Sequence, residues 1–305
     1  MFSQDEIEKL LKSGKIGAEA RDLGVSLVKP GASSREICEE VENLIIKRGA
    51  IPAFPCNFSI NEIAAHYTPG IDDDMKVPER GIVKVDIGAN IDGYLSDTAA
   101  SVALGSEFKE LTLSVEKSLK SVIEIMKPNI TIYEIGKTIE TNIRSNGYRP
   151  VKNLTGHTIS RYSLHAGESV PNYADRKDFY KRLKPGTQVA IEPFGTTGKG
   201  FVVDGSKSFI YSFTGKIPKG VSEDALNLLN YIKNKYNRLP FAVRWLSKEF
   251  EPQKIGNLLS ELVRQKALVD YPMLIEVSKS VVAQFEHTFL ILNDKILVTT
   301  ESSTN

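Results

Sequence analysis

Two segments of this sequence resemble each other at a fixed spacing of 98 residues (147 − 49). They read "KPGASSREICEEVENLIIKRGAIP" and "KPNITIYEIGKTIETNIRSNGYRP". The pairs that match without a gap are Pro30 and Pro128, Ser33 and Thr131, Glu36 and Glu134, Ile37 and Ile135, Glu42 and Glu140, Gly49 and Gly147, and Pro52 and Pro150. Each segment has a capping pattern, apolar residues at helical spacing and a terminal glycine, which predicts an amphipathic helix.

The similarity continues beyond the two helices. His66 and His165 follow at nearly the same spacing (165 − 66 = 99), and each half then reaches a glycine-led strand that ends in an acid, "GIVKVD" and "GTQVAIE". The repeat therefore predicts two pseudo-symmetric halves that form one domain with a site between them. The alternative is that two capped helices, each preceded by proline and followed by glycine, resemble each other for local reasons only.

Composition excludes several classes of protein. A chain of 305 residues with 41% hydrophobic content can bury a large core, as one α/β or α+β domain or as two domains. The formal net charge of +1 gives no overall field that would attract nucleic acid, an anionic membrane or an acidic substrate. The acidic start lacks an apolar signal core, so we expect a cytoplasmic protein. Cys38 and Cys56 do not form a CxxC pair, which argues against a disulfide framework or a thiolate zinc site.

A segment from about Ser206 to Tyr271 interrupts the repeated pattern. "VSEDALNLLNYIKNKYNRL" and "EPQKIGNLLSELVRQKAL" are typical of helices, so we expect a helical insertion. Its lysines and arginines are scattered, as on a solvated helix face, and we expect no specific nucleic-acid partner. The chain then returns to strand in "KSVVAQFEHTFLIL" and ends in a predicted hairpin around Asn293 and Asp294.

Two acids flank a predicted hairpin turn in "VKVDIGANIDGYLSDTAASV". The midpoint of Asp86 and Asp97 is residue 91.5, (86 + 97)/2, which is the centre of a turn over 90–93, so we expect the two side chains to face each other across the strands. Directly opposed like charges weaken a sheet, and a buried carboxylate is costly without compensation. The sequence therefore predicts a cation between them.

Three further residues occupy positions that are unusual for a purely structural role. Glu192 ends an apolar strand, Glu286 lies inside one, and His157 follows a glycine. Each has an ordinary alternative: Glu192 could face solvent, Glu286 could pair with an arginine, and His157 could be a core histidine. Together with the two aspartates, however, they form a set of four carboxylates and one imidazole.

Two divalent ions would balance the charge of four carboxylates. Such an oxygen-rich ligand set with one imidazole suits Mn, Fe or Co. Two ions about 3.5 to 4 Å apart can hold a bridging water and lower its pKa, which is hydrolytic chemistry. His66 and His165 are then candidates for orienting a substrate amide and stabilising its oxyanion. His287 should point to the opposite face of its strand from Glu286.

These motifs resemble one family, the type II methionine aminopeptidases of the short archaeal kind. The matching blocks are "FPCNFSINEIAAHYTP", "VKVDIGANIDGYLSDTAASV", "NLTGHTISRYSLHAGESVP", "AIEPFGTTGKG" and "QFEHTFLIL". The resemblance implies an α/β (α+β) pita-bread fold, with a pseudo-two-fold repeat and a curved antiparallel or mixed sheet covered by helices. It also implies that residues 1–205 and 272–305 form the catalytic domain and that 206–271 form the winged-helix-like insertion of type II enzymes.

The resemblance also implies roles for particular residues. The metal ligands would be Asp86, Asp97, His157, Glu192 and Glu286, which would hold two divalent ions of Co, Mn, Fe or Zn. His66 and His165 would handle the substrate, and Glu192 would take a proton from the attacking water. Phe54, Pro55, Leu164, His165 and Phe194 would line the methionine pocket, although the apolar members could equally be ordinary core residues.

The function implied is removal of the initiator methionine from nascent proteins with a small second residue, by attack of a metal-bridged hydroxide on the peptide carbonyl. The expected partners are a nascent-chain N-terminus and, transiently, the ribosome, and the expected state is a monomer. Two alternatives remain open. An X-Pro aminopeptidase or prolidase has a similar order of ligands, and a binding module could use the insertion to dock on RNA or the ribosome.

Overall fold

A computed structural model describes residues 2–302 of the protein, and it confirms a mixed α/β fold. The helices are α1 Gln4–Leu27, α2 Ser34–Lys47, α3 Lys109–Ile125, α4 Ile132–Ser145, α5 Glu223–Tyr236, α6 Val243–Leu246 and α7 Pro252–Arg264. The strands are β1 Ile51–Pro52, β2 Asn57–Ile60, β3 Ile63–Ala65, β4 Gly81–Ile87, β5 Ala89–Ile91, β6 Tyr94–Leu95, β7 Thr98–Leu104, β8 Arg149–Pro150, β9 Thr155–Ile159, β10 Ser169–Pro171, β11 Thr187–Ile191, β12 Phe194–Thr196, β13 Val202–Phe213, β14 Phe241–Ala242, β15 Leu268–Glu276, β16 Val282–Gln284, β17 His287–Ile291 and β18 Ile296–Val298.

The repeat in the sequence is also a repeat in the structure. Helices α2 and α4 begin and end at the same spacing (132 − 34 and 145 − 47, both 98), and β1 and β8 follow at that spacing too. Gly49 and Gly147 end their helices with φ values of 79° and 82°, a conformation in which glycine is favoured because it lacks Cβ. Thr131 and Glu134 form a complete capping box. Ser33 accepts a hydrogen bond from the Glu36 amide, but its own amide does not donate to the Glu36 side chain, so this capping box is incomplete; the Ser33 hydroxyl donates to Asp74.

Each half builds the same antiparallel unit. In the first half the strand order is β2-β4-β7, and in the second it is β9-β11-β17 with β10 and β18 at the edges. Helices α1 and α2 contribute to the apolar core of the first unit, whose buried residues include Ile16, Val41, Ile45, Phe58, Val83 and Val85. Helices α3 and α4 contribute to that of the second, with Leu111, Val115, Ile135, Ile139 and Val189.

The expected register of the central hairpin is wrong by two residues. In an antiparallel pair, the numbers of opposed residues have a constant sum. Asp86 pairs with Ala99, which gives a sum of 185 (86 + 99), whereas direct opposition of Asp86 and Asp97 requires a sum of 183 (86 + 97). The turn is Asp92-Gly93, both with positive φ, as a tight two-residue hairpin favours, and not 90–93. Because side chains alternate with a period of two, a shift of two leaves Asp86 and Asp97 on the same face as diagonal neighbours.

The final hairpin is confirmed, but Glu286 differs from its predicted place. Strands β17 and β18 pair, and the Leu292 amide donates to the Lys295 carbonyl between them. Glu286 does not lie inside a strand. It occupies the gap between β16 and β17, where its backbone pairs with Ala99 as an isolated bridge.

The insertion contains strands as well as the predicted helices. Strands β13 and β15 form a long antiparallel ribbon, β14 pairs with β13, and α5, α6 and α7 lie between them in sequence. These elements share an apolar cluster that includes Leu228, Ile232, Phe241, Leu259 and Leu262. Both strands of the ribbon cross the predicted domain boundaries, β13 at 205/206 and β15 at 271/272. The division of the chain into a catalytic domain and an insertion at these positions stays a prediction. Within the described residues, no helix combines the length and apolar character that a membrane span requires.

Candidate metal centre and substrate cavity

The five predicted metal ligands come from five separate segments and converge at one place. Asp86 is near the end of β4 and Glu192 follows β11, which is the corresponding strand of the second half. Asp97 precedes β7 and Glu286 precedes β17, which also correspond. The carboxylates therefore obey the pseudo-symmetry of the fold, and His157 joins them from the middle of β9.

The distances between these side chains are short. Ligand atoms of Asp97, His157 and Glu286 all lie within 4.8 Å of one another. The His157 Nε2 atom is 3.5 Å from Asp97 Oδ2 and 3.7 Å from Glu192 Oε1. Gln284, which the sequence did not indicate as a site residue, lies between the carboxylates of Asp86 and Glu286. Its Nε2 is 3.3 Å from Asp86 Oδ2 and 3.5 Å from Glu286 Oε2.

The electrostatics of the cluster are unfavourable without a cation. Burial raises the pKa of all four carboxyl groups, to about 8 for Asp97, and the charge of Asp97 raises the pKa of the other three further. Within residues 2–302, no lysine or arginine forms an ion pair with any of the four. Burying several carboxylates together is costly unless a positive charge compensates them.

Several polar atoms of the cluster are buried and have no hydrogen-bond partner among the described residues. They are Asp86 Oδ1, Glu286 Oε1 and His157 Nδ1. Buried polar atoms are almost always satisfied in folded proteins, so two unpartnered carboxylate oxygens in one cluster indicate that something else binds there. A set of carboxylate oxygens with one imidazole nitrogen fits a divalent cation.

Two more histidines face the same cavity. His66 directly follows β3, and its Nδ1 lies 3.2 Å from the Pro272 carbonyl oxygen. The ring of His165 lies 4.2 Å from the ring of His157, at an angle of 47°. Burial lowers the pKa of both His66 and His165 to about 4, so both are neutral at pH 7.

A cavity of about 220 Å³ adjoins the cluster. Phe54, Leu164 and Phe194 line it, as does His165, but Pro55 is not among its lining residues in the described chain. The Pro55 carbonyl instead accepts a hydrogen bond from the Asn57 side chain. Lining residues that sequence analysis did not predict are Asn57, Ala65, Asn153, Leu154, Thr155, Ile210, Pro240, Tyr271 and Leu274.

Most of those additional residues carried no detectable signal in the sequence. Ile210 and Tyr271 lie on β13 and β15, within the segment that the sequence predicts to be helical, and they reach the cavity only because those strands pair. Asn57 gave no clear signal either, because it opens β2 and the strand alternates polar and apolar residues, Asn57-Phe58-Ser59-Ile60, as many half-exposed strands do. His287 lies away from the cluster, as strand alternation predicts, and its Nδ1 is 2.9 Å from Thr300 Oγ1.

Comparison with known proteins gives consistent results over the full length. The sequence model of metallopeptidase family M24 matches residues 8–292. The methionine aminopeptidase of Saccharolobus solfataricus is 46% identical over 304 residues, covering 99% of this chain and 100% of that protein. The methionine aminopeptidase of Pyrococcus abyssi is 43% identical over 296 residues, covering 97% and 100%.

Solved structures show the same fold at low sequence identity. A thermophilic Arx1 superposes with a TM-score of 0.87 at 15% identity, covering 100% of this chain and 93% of that one. A methionine aminopeptidase from Thermotoga maritima superposes with a TM-score of 0.70 at 23% identity, covering 99% and 98%. At these identities the structural similarity shows the fold alone.

Proposed function

Because this chain belongs to metallopeptidase family M24, we propose that it is a metal-dependent aminopeptidase that removes the initiator methionine from new polypeptides with a small second residue. The observation that carries this proposal is the cluster of four carboxylates and one histidine, of which Asp97, His157 and Glu286 are buried, in a chain that matches methionine aminopeptidases over nearly its whole length. The retained cluster supports an active enzyme over a binding protein with a vestigial site.

The ligands of two divalent ions would be Asp86, Asp97, His157, Glu192 and Glu286. When bound, such ions supply Lewis-acid chemistry that activates water and polarises the scissile carbonyl. The oxygen-rich donor set favours Mn, Fe or Co, and Zn is a further candidate. Gln284 would orient the carboxylates of Asp86 and Glu286 through its side-chain amide.

Glu192 would accept the proton that the attacking water loses. Its side chain is 15% exposed and borders the cavity, and burial raises the pKa of its carboxyl group, which strengthens its affinity for a proton. His165 would donate a hydrogen bond to the oxyanion that develops on the substrate carbonyl. Its ring lies against His157, so it borders the ligand cluster directly.

The hydrogen bond of His66 defines what its other nitrogen can do. A carbonyl oxygen can only accept, so Nδ1 must carry the proton that it shares with Pro272. Since the ring is neutral at pH 7, Nε2 then has a free lone pair. His66 would therefore accept at Nε2 the proton that the hydroxyl of the tetrahedral intermediate loses as the C–N bond breaks, and pass it to the departing amine.

The methionine side chain of the substrate would occupy the apolar part of the cavity. Phe54, Leu164 and Phe194 supply aromatic and aliphatic surface, and Ile210 and Leu274 extend it. A flexible thioether fits such a surface well.

We expect the enzyme to act as a cytoplasmic monomer near the ribosome, where nascent N-termini emerge. We also expect residues 206–271 to form a subdomain without a specific nucleic-acid partner.

The replacement of Asp97 by Asn tests the metal assignment. Asp97→Asn keeps the shape of the side chain but removes the charge, so turnover of a Met-Ala-Ser peptide with added Mn²⁺ should fall by at least about a hundredfold. Asp92→Asn is a matched control on the same hairpin, because Asp92 is 64% exposed and lies away from the cluster. Undiminished cleavage by Asp97→Asn would reject the assignment.

The same assay separates the proposed enzyme from its alternatives. An X-Pro aminopeptidase would cleave an Ala-Pro peptide in preference to a Met-Ala peptide. A binding module would show salt-sensitive RNA binding and no hydrolysis with Mn²⁺, Fe²⁺ or Co²⁺. Preference for Met-Ala is the result that the proposed function requires.

A further inference from the structure

Lys84 is a fully buried lysine in the middle of β4. Its side chain is 0% exposed, and it lies on the same face of the strand as Asp86, two residues later. Lysine is almost never fully buried unless it is paired. Among the described residues Lys84 forms no ion pair with a carboxylate, so its burial needs another explanation.

The amine of Lys84 binds two backbone carbonyls from distant parts of the chain. Nζ donates to the Asn61 oxygen at 2.9 Å and to the Val282 oxygen at 3.0 Å. The Asn61 oxygen also accepts the amide of Val282 at 3.0 Å. Lys84 therefore closes a junction between the turn after β2 and the start of β16.

Both segments at this junction lead directly into the site. The turn at Asn61 continues into β3, and the next residue after β3 is His66. Strand β16 ends at Gln284, whose side chain binds the carboxylates of Asp86 and Glu286. A displacement of either segment would move residues that the proposed mechanism uses.

The backbone of β4 holds the turn but not β16. The Ile82 carbonyl accepts the Asn61 amide at 2.8 Å, and the Ile82 amide donates to Asn61 Oδ1 at 2.9 Å. Over 83–86 both edges of β4 pair with β2 and β7, so no free peptide group there can bind Val282. Val282 meets the face of β4, where the side chain of Lys84 reaches its carbonyl. Ser101 of β7 makes a similar link, because its Oγ donates to the Gln284 carbonyl at 2.7 Å and accepts from the Gln284 amide at 2.8 Å.

We infer that Lys84 is a positioning residue for the metal centre: its amine fixes β16, and with it Gln284, to the turn leading to His66 and against the face that carries Asp86. Charged or neutral, the amine has at least two N–H bonds, so this role depends on its donors and not on its titration. A methionine would fill a similar volume but would donate to neither carbonyl. The inference rests on the proposed metal site for its Mn²⁺ readout and on the proposed function for its catalytic readout.

The test compares Lys84→Met with Val83→Ala. Val83 is also fully buried on β4 but packs on the opposite face, so its truncation destabilises the strand without touching the junction. Calorimetric titration with Mn²⁺ should show at least about a tenfold loss of affinity for Lys84→Met, which is the range of orienting residues in metal sites. With a Met-Ala-Ser peptide, kcat should fall by at least about tenfold, with KM changed much less.

Val83→Ala should lower the melting temperature while Mn²⁺ affinity and kcat stay within about twofold, as expected of a change confined to the core. Equal losses in the two variants, or no loss of Mn²⁺ affinity in a folded Lys84→Met, would overturn the inference. A wild-type protein that binds Mn²⁺ but cleaves no peptide would reject the proposed function, and the comparison of Mn²⁺ affinities would still test Lys84.

A second variant covers the case in which Lys84→Met does not fold. Lys84→Ala would be refolded with n-propylammonium, which can replace the missing amine, and in parallel with tetramethylammonium, which has no N–H donor. Recovery of Mn²⁺ binding with n-propylammonium alone supports the inference. Recovery of Mn²⁺ binding with both cations would show that the N–H donors are not needed, and failure to fold with either would show that Lys84 has only a structural role. Either outcome overturns the inference.

Discussion

His66 adopts a backbone conformation that few residues other than glycine tolerate, with φ of 66°. Its Nδ1 is held by the Pro272 carbonyl and its ring meets Tyr271 edge-on at 5.7 Å. We expect His66→Ala to lower kcat by at least about tenfold, in the range typical of a lost acid or base group, as measured with a Met-Ala-Ser peptide. Alanine, however, also disfavours the left-handed conformation, so part of its effect could come from the backbone.

His66→Asn is the matched control for that backbone effect. Asparagine tolerates positive φ, and its side-chain amide can still donate to Pro272, but it has no second ring nitrogen. Both variants should therefore lose activity to a similar extent. Full activity in His66→Asn would show that the imidazole has no chemical role.

The short helix α6 attaches the insertion to the first half of the chain through a buried ion pair. Arg244 contacts the carboxylate of Glu42 on α2 and donates to Thr68 Oγ1 at 2.7 Å. Trp245 donates to the other oxygen of Glu42 at 2.8 Å, and the Glu42 carboxylate also accepts the amide of Cys56. Cys56 directly precedes Asn57, and Thr68 lies two residues after His66. Because Asn57 and His66 line the cavity, α6 also supports two of its walls.

Removal of Arg244 should destabilise the protein strongly. Arg244→Met leaves the buried carboxylate of Glu42 without its charged partner, which typically lowers the free energy of unfolding by about 3 to 5 kcal/mol. Urea denaturation would measure the change. Arg264→Met, at an exposed position on α7, is the control and should stay within about 0.5 kcal/mol of the wild type. A similarly small change for Arg244→Met would contradict this account of how the insertion is attached.

At the scale of the whole molecule, the cluster of proposed metal ligands joins the two halves. Asp86 and Asp97 belong to the first half, His157 and Glu192 to the second, and Glu286 follows the insertion. A divalent ion bound only by the folded protein should stabilise it by about 2.7 kcal/mol at a free concentration one hundred times its Kd. We expect Mn²⁺ to raise the melting temperature of EDTA-treated protein by several degrees.

Asp97→Asn should lose most of that thermal shift, and Asp92→Asn should keep it. Scanning calorimetry at matched ionic strength would measure both. The same shift in the wild type and in Asp97→Asn would mean that Mn²⁺ stabilises some other part of the molecule.

Local patterns in the sequence determined the helices and the repeat. The capping residues Ser33 and Thr131 and the helix-ending glycines Gly49 and Gly147 act within a few residues of themselves, so their effect can be read from a single segment. The convergence of the acids could also be predicted, because a carboxylate in or beside an apolar strand is costly to bury without a compensating charge.

Only the tertiary structure decided which groups meet across long distances. The cavity gained Tyr271, for example, because β13 and β15 pair. Lys84 and Val282 are 198 residues apart in sequence, and nothing near either one indicates the other. Such contacts form because distant segments bury apolar surface together, and the energy of that packing belongs to the pair of segments and to neither alone.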